Sequence, residues 1–355
     1  MTTVARSGLL AAAAAGCPRS SAAAGATKGK RVRVGQIGVG HGHASGKMRT
    51  LRALAEDYEV VGVVEPDPRL RKECENDRAY RGLKWMTEEQ LLNVEGLRAV
   101  AVETTVRDLV PTAARCVAAG MHVHLDKPAG ESLPAFKEVL DAAARRGLTV
   151  QMGYMFRYNP AFQFCFRAVR EGWLGRVFEV HGVIGKRIGA AERKRLLPYR
   201  GGTMFELGCH LIDALVCVLG KPQRVTAYAR RTRSTEDDLA DNQLAVLEYP
   251  QAIATIRSAL VEVEGTERRQ FVVCGEEGTV DIRPLEPPRL RMALRKPRAP
   301  YRSGYQEVRL AKMPGRYDDQ LIELARIIRG ELSNPYPPSH DLVVEEAVLR
   351  ASGLL

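Results

Sequence analysis

Between residue 31 and about residue 153, short apolar runs with little polar alternation take turns with segments of helical period. "RVRVGQIGVG" carries an apolar strand into glycines, Ala44 to Glu56 has helical spacing, and "YEVVGVVE" is a second buried strand ending at Glu65. Pro68 suits the first turn of a helix, Thr87 with Gln90 makes a capping box, and "RAVAVET" supplies another strand. Val110 to Ala119 reads as a helix stopping at Gly120, ahead of the strand in "HVHLDKPAG". Ser132 then caps a helix that stops at Gly147, and "LTVQMGYM" follows. Strands so apolar, separated by helices, require a parallel sheet covered on both faces. The predicted class is α/β, with an N-terminal doubly wound Rossmann domain.

The texture changes after about residue 153. Helices over about Ala161 to Glu171 and Met204 to Leu219 precede the strand-like runs "RVTAYARR", "QLAVLEYP", "AIATIRSALVEVE", "RQFVVCG" and "RLRMALR". No helix interrupts those runs, which predicts a C-terminal α+β domain on an open, mostly antiparallel sheet, closed by helices near Asp318 to Arg329 and Asp341 to Ala351. A chain of 355 residues exceeds what one core usually serves. The expected division is a leader or disordered segment over 1–30, a dinucleotide-binding domain over 31–152, and a substrate or oligomerisation domain over 153–355. "LRKPRAPYRSGY" reads as an exposed loop.

Charge and cysteine usage narrow the partners. A net charge of +11 would suit nucleic acid, but the Lys and Arg residues are dispersed, without blocks or an aromatic-studded basic module. No nucleic-acid partner is expected, and no apolar run is long enough to span a bilayer. The seven cysteines lie far apart with no CxxC pair, so neither a zinc framework nor disulfides are indicated. Arg6, "GLLAAAAAG" and Gly16-Cys17 have the outline of an export signal, though the basic region is thin and the apolar stretch is mostly alanine. A cytoplasmic protein is expected, with export the alternative if residues 1–30 act as a signal.

Chemistry enters at "IGVGHGH". Gly38 and Gly40 hold the first two positions of a dinucleotide fingerprint, between a strand and a helix; the first permits the tight turn and the second lets a pyrophosphate approach. His43 stands at the third glycine's place, with His41 beside it in the turn. Glu65 ends the second strand 22 residues beyond His43, where an acid accepts hydrogen bonds from ribose hydroxyls and repels a 2′-phosphate. NAD is therefore favoured over NADP. Thr104, at the end of "RAVAVET", joins the expected cofactor contacts.

Two further segments carry ionisable groups. In a doubly wound sheet, ligands lie outside the carboxyl ends of the strands, and the strand of "HVHLDKPAG" ends at Asp126, Lys127 and Pro128. Pro128 restricts the backbone of Lys127 and so its direction. In "GGTMFELGCHLID", Glu206 and His210 are four apart on a helix and Asp213 lies three further on. An imidazole there can take a hydroxyl proton while a carboxylate orients it. Taken alone, Lys127 is also an ordinary surface lysine at a strand end, and the Glu–His pair an ordinary solvated helix face.

"GVGHGH", "HVHLDKP", "GYMFRYNP" and "GGTMFELGCHLID", in this order and at these separations, resemble the Gfo/Idh/MocA family of NAD(P)-dependent oxidoreductases, over roughly residues 31 to 353. The resemblance implies a catalytic lysine at Lys127 and a catalytic histidine at His210. It aligns Asp126-Lys127-Pro128 with a motif that usually begins with Glu, and Glu206 with a position that is usually Asp. Cofactor contacts are implied at Gly38, Gly40, His41, His43, Glu65, Thr104, Asp126, Lys127 and Pro128, and substrate contacts at Lys127, His210 and Arg157. For Arg157 the alternative is a brace at the domain junction.

The implied reaction is hydride transfer between nicotinamide and a sugar- or cyclitol-like secondary alcohol, with His210 taking the proton and Lys127 stabilising the alkoxide. An NAD-dependent glycoside hydrolase that oxidises its substrate transiently is one alternative, and a non-catalytic dinucleotide and sugar sensor another. A homo-oligomer formed through the C-terminal sheet is expected. No metal is expected: no carboxylate or cysteine is read as completing a set with His41, His43, His122 and His124, and the resemblance implies none. His124 replaces a usual apolar residue and is expected to touch the pocket.

Overall fold

The computed structural model describes residues 30–233 and 237–355. The expectations placed on the leader and on Cys17 lie outside the described residues. The first half runs β1 (Val32–Ile37), α1 (Ala44–Ala53), β2 (Tyr58–Val64), α2 (Pro68–Cys74), β3 (Trp85–Met86), α3 (Glu88–Leu92), β4 (Ala99–Val102), α4 (Val106–Ala118), β5 (His122–Leu125), α5 (Leu133–Arg145) and β6 (Val150–Met152). These strands form one parallel sheet in the order β3-β2-β1-β4-β5-β6. The order reverses between β1 and β4, which opens a crevice at their carboxyl ends.

Local signals account for the helix starts. Asp67 caps α2 with Pro68 in the first turn, and Thr87 and Gln90 close a reciprocal capping box on α3 (3.2 and 3.0 Å). Such a cap contributes about 1 kcal/mol. Helix α4 begins four residues before the expected Val110, with Pro111 inside it. The carbonyl that Pro111 leaves without a donor belongs to exposed Arg107, where water can serve it.

The second half contains α6 (Pro160–Arg170), β7 (Val177–Gly185), α7 (Ala190–Leu196), α8 (Cys209–Leu219), β8 (Arg224–Arg230), β9 (Asn242–Glu248), β10 (Ile253–Ala259), β11 (Gln270–Gly275), β12 (Gly278–Ile282), β13 (Leu290–Leu294), β14 (Gly304–Glu307), α9 (Asp318–Ile328) and α10 (Pro338–Ala351). Its eight strands lie in the order β14-β13-β12-β11-β7-β10-β9-β8. All neighbours are antiparallel except β7 and β10. The mostly antiparallel sheet is thus present, but its central strand, β7, was not among the predicted runs. Glu179 and His181 interrupt its apolar pattern on the more open face, and Gly182 on the buried face, where a Cβ would lie 2.8 Å from Ile256.

The main apolar core is continuous from the first sheet through α5 and α6 to the inner face of the second sheet. A smaller cluster of Val39, Met48, Val63, Ala79 and Tyr80 lies beside α1. Helix α9 returns to the first half: Tyr58 donates to the Leu321 carbonyl at 2.7 Å, and the Gln320 amide donates to the Met152 carbonyl at 2.9 Å. The six cysteines among the described residues are free. No helix among the described residues is long and apolar enough to cross a membrane.

Candidate active site

Three pieces of chain meet at the carboxyl ends of the first sheet: the glycine turn after β1, the segment after β5, and the start of α8. In the turn, Gly38 has φ +91° and its N–H donates to the Val64 carbonyl at 2.8 Å. A Cβ on Gly38 would lie 2.5 Å from the main-chain nitrogen of Thr104, so both conformation and space demand glycine. A Cβ on Gly40 would meet Leu70 at 3.3 Å and Thr105 at 3.5 Å. Gly40 borders a cleft of about 720 Å³ lined also by Leu70, Thr105, Arg107, Tyr199 and Arg200. The turn therefore fits a pyrophosphate, with main chain forward and cations at the rim.

Gly38→Ala should cost about 1–3 kcal/mol of stability and abolish dinucleotide binding, because the strained residue must displace the β4 end. Gly42→Ala is the control, since a Cβ there meets nothing within 4 Å and φ is not in the left-handed region. Denaturant midpoints and nicotinamide titration of the two variants check this.

Glu65 lies against the same turn. Its two oxygens accept the main-chain N–H groups of Val39 (2.8 Å) and Asp67 (2.9 Å). Each oxygen keeps a second acceptor direction for a ribose hydroxyl. Thr104 contributes its backbone to the wall against Gly38, while its hydroxyl donates to the Thr105 carbonyl at 3.1 Å.

Asp126, fully buried, is the hub of the floor. Its Oδ2 lies 3.0 Å from His41 Nδ1, 3.1 Å from His43 Nδ1 and 3.5 Å from Lys47 Nζ, and its Oδ1 accepts the Lys127 N–H at 2.7 Å. Burial opposes its ionisation, but His41, Lys47 and His43 outweigh it and hold the carboxyl well below the usual range. Glu103, buried beside it, is pushed well above the usual range by burial and then by the Asp126 charge. Burial brings the His43 imidazole down to about 4 despite Asp126. The premise that no carboxylate completes a histidine set is thus corrected: Asp126, distant in sequence, does so in space.

Lys47 and Glu103 were not anticipated. Lys47 lies on the buried stripe of α1 with Ala44, Met48 and Leu51, and a lysine at an apolar helix position was the available signal. Its Nζ is 3.4 Å from Glu103 Oε1 and 2.5 Å from His124 Nε2. His124 Nδ1 in turn faces Gln151 Oε1 at 3.0 Å. His124 is therefore beneath the site rather than on the pocket wall, and burial, with Lys47 next, pushes it down to about 3. His122 is structural, its Nδ1 accepting the Thr149 N–H at 3.1 Å.

Lys127, joined to buried Pro128 by a cis peptide, directs its Nζ to the Glu206 carbonyl at 2.8 Å. Burial works against its charge, but Cys209, Glu206 and Asp126 outweigh burial and raise it above its usual value. Glu206 belongs to a π-wound turn, Met204–Gly208, that leads directly into α8. His210 follows in the first turn of α8, buried, with Nδ1 lacking any partner. Its ring centroid lies 5.5 Å from Phe156, 6.1 Å from Tyr154 and 6.3 Å from His43. Burial, then the Lys127 charge, depress its pKa well below the usual value, so the imidazole is neutral.

Two sequence expectations about this helix are corrected. Glu206 makes no hydrogen bond or ion pair with His210; its carboxylate lies 3.7 Å from Lys186. Asp213 does not orient His210 either, because Arg157 claims it. Arg157 Nε and Nη2 donate to Asp213 at 2.6–3.1 Å, and Nη2 also donates to Asp341 of α10 at 2.6 Å. The guanidinium stacks 4.0 Å from the Tyr336 ring centroid. With 1% of its side chain exposed, Arg157 ties α8 to α10 through Asp213 and Asp341.

Comparison with known proteins agrees with this architecture. Residues 32–154 match the family described as "Oxidoreductase family, NAD-binding Rossmann fold", and residues 162–281 match the "GFO/IDH/MocA C-terminal domain". The chain is 28% identical over 193 residues to the oxidoreductase YhhX of Escherichia coli, covering 54% of each protein. It is 28% identical over 168 residues to D-xylose 1-dehydrogenase (NADP(+)) 2 of Haloferax volcanii, covering 46% of this chain and 50% of that one. The chain thus spans about half the length of these two relatives. The aldose-aldose oxidoreductase structure from Caulobacter crescentus superimposes with a TM-score of 0.76 over 91% of this chain and 98% of that one, at 22% identity. That likeness is one of fold.

Proposed function

The chain belongs to the GFO/IDH/MocA oxidoreductase family, and from that premise we propose that it transfers hydride between NAD and a secondary alcohol of a sugar or cyclitol. The observation that carries the reading is the meeting of Lys127 and the His210 helix: the ammonium is tied to the Glu206 carbonyl at 2.8 Å, and its charge acts on the His210 ring. One cation and one neutral imidazole with a free nitrogen thereby face the end of the sheet beside the glycine turn. Bound NAD supplies the hydride acceptor.

The residues of the chain do the remaining work. The His210 imidazole takes the hydroxyl proton as the C–H bond gives up its electron pair. The Lys127 ammonium stabilises the negative charge that develops on the alcohol oxygen. Arg157 holds α8 through Asp213, and α8 carries His210, so the brace positions the base without touching the substrate. Glu65 supports NAD over NADP, because a 2′-phosphate would meet its carboxylate. A sugar or polyol is the substrate class favoured by the relatives' names, D-xylose 1-dehydrogenase and aldose-aldose oxidoreductase.

The test is a screen for nicotinamide reduction over sugars, cyclitols and sugar acids, with NAD and NADP in parallel. At least one polyol should reduce NAD, with a preference over NADP of about tenfold or more. No reduction with any polyol, alongside nitrophenol release from nitrophenyl glycosides without net NADH, would replace this reading with the hydrolase.

A further inference from the structure

His41 and His43 leave the glycine turn on alternate positions, yet both Nδ1 atoms converge on one oxygen of Asp126, at 3.0 and 3.1 Å. The three donor atoms all lie within 4.8 Å of one another. Neighbouring donors in a tetrahedral zinc shell, with bonds of about 2.0–2.2 Å, stand roughly 3.3 Å apart. We propose that His41, His43 and Asp126 bind one divalent ion of the zinc class, a property beyond the dehydrogenase reading.

Hydrogen bonding within the trio supports a cation. His41 Nδ1 accepts the main-chain N–H of His43 at 3.3 Å, so its lone pair is in use at that nitrogen. A ring nitrogen that accepts cannot also donate, yet the same atom faces the Asp126 carboxylate, itself an acceptor, at 3.0 Å. A metal ion that takes the His41 lone pair in place of the His43 N–H binds nitrogen and carboxylate together and removes that opposition. The chemistry of the set agrees, since two imidazoles and one carboxylate suit zinc, cobalt or iron(II), and three protein donors leave a position open.

Two charges beside the site bear on the ion. Lys47 Nζ is 3.5 Å from the ligating oxygen of Asp126 and opposes a second cation. Glu103, 3.4 Å from Lys47 and 3.9 Å from His41 Nδ1, brings a second acid to the same floor. Lys47 also donates toward His124 Nε2 at 2.5 Å, away from the trio. The donors stand on rigid supports: the Asp126 Oδ1 is pinned by the Lys127 N–H, which leaves Oδ2 for the ion. The His210 ring lies 6.3 Å from that of His43.

The experiment is a titration of chelator-treated full-length protein with Co²⁺, followed by visible d–d absorption and then displaced with Zn²⁺. One equivalent should bind with an intense visible band. His41→Gln and His43→Gln should each weaken binding at least about tenfold, and Asp126→Asn should abolish the band. The histidine variants serve if Asp126→Asn fails to fold, because neither imidazole belongs to the apolar core clusters. Cys217→Ala should leave the titration unchanged, since Asp213, Cys217 and His340 form the other group with donors at metal-like spacing.

The proposal is overturned by the lack of a stoichiometric band, by histidine variants that titrate like the parent, or by loss of the band in Cys217→Ala. The titration is read from the metal band alone, with neither NAD nor polyol present. A failed polyol screen equally leaves the cobalt titration to be decided on its own.

Discussion

His210→Asn is expected to lower kcat for alcohol oxidation by about 10²–10⁴-fold while NAD affinity stays within a few-fold. The imidazole is held neutral, and among the described residues no carboxylate makes a hydrogen bond or ion pair with it that could take over proton removal. It lies on α8 and makes no hydrogen bond to the glycine turn, so cofactor binding is expected to be largely spared. Asn keeps a polar side chain of similar reach but cannot accept a proton near neutral pH. Lys127→Met should cost a comparable factor, because an ammonium aimed at a developing alkoxide contributes about 3–4 kcal/mol in a buried site. The double variant should be little worse than either single one if the two groups serve one transition state. Steady-state rates on the best substrate from the screen, with nicotinamide titration alongside, check all three. A His210→Asn rate within about threefold of the parent would remove the imidazole as base.

The parts of this site that could be read from sequence are those built by neighbours in the chain. Gly38 and Gly40 announce themselves because strand, turn and helix are contiguous, and Glu65 because the next strand has a fixed length. Lys127 reads as a rim residue once its strand is placed in a parallel sheet. What could not be read depends on distance in space. Asp126 and His43 are 83 residues apart, and no periodicity links them.

The same limit explains Arg157 and β7. Arg157 could be a substrate ligand or a brace until Asp213 and Asp341, 56 and 184 residues away, were placed around it. β7 was overlooked because a strand with a partly open face carries Glu179 and His181 among its apolar residues, although it is the hub between β10 and β11. Lys47 is the instructive exception. The helical stripe of α1 did mark it as buried, and a buried lysine requires partners, so its pairing with acids was inferable in kind but not in identity.

Arg157→Met should destabilise the protein by about 3–5 kcal/mol at neutral pH, the largest stability loss expected from any single side chain discussed above. The guanidinium, Asp213 and Asp341 are all essentially buried, so removing the cation strands two carboxylates away from water. Burial opposes ionisation of Asp213, but Arg157 and then His340 outweigh it and depress its carboxyl. Burial raises that of Asp341, with Arg157 opposing the rise. Without the arginine both carboxyls rise above their unfolded values, so the folded variant binds more protons than the unfolded chain across that interval. Its stability must then increase as pH falls toward the ordinary carboxylate range, while the parent loses the Asp213 contribution as pH falls through the depressed value. The gap between parent and variant therefore narrows on acidification. Denaturant unfolding at about pH 7.5 and about pH 5 measures it. Arg157→Lys should fall between the two, keeping the charge but losing the paired geometry and the stack on Tyr336. A loss under about 1 kcal/mol, or a gap that does not change with pH, would mean that the three charges are not coupled as described.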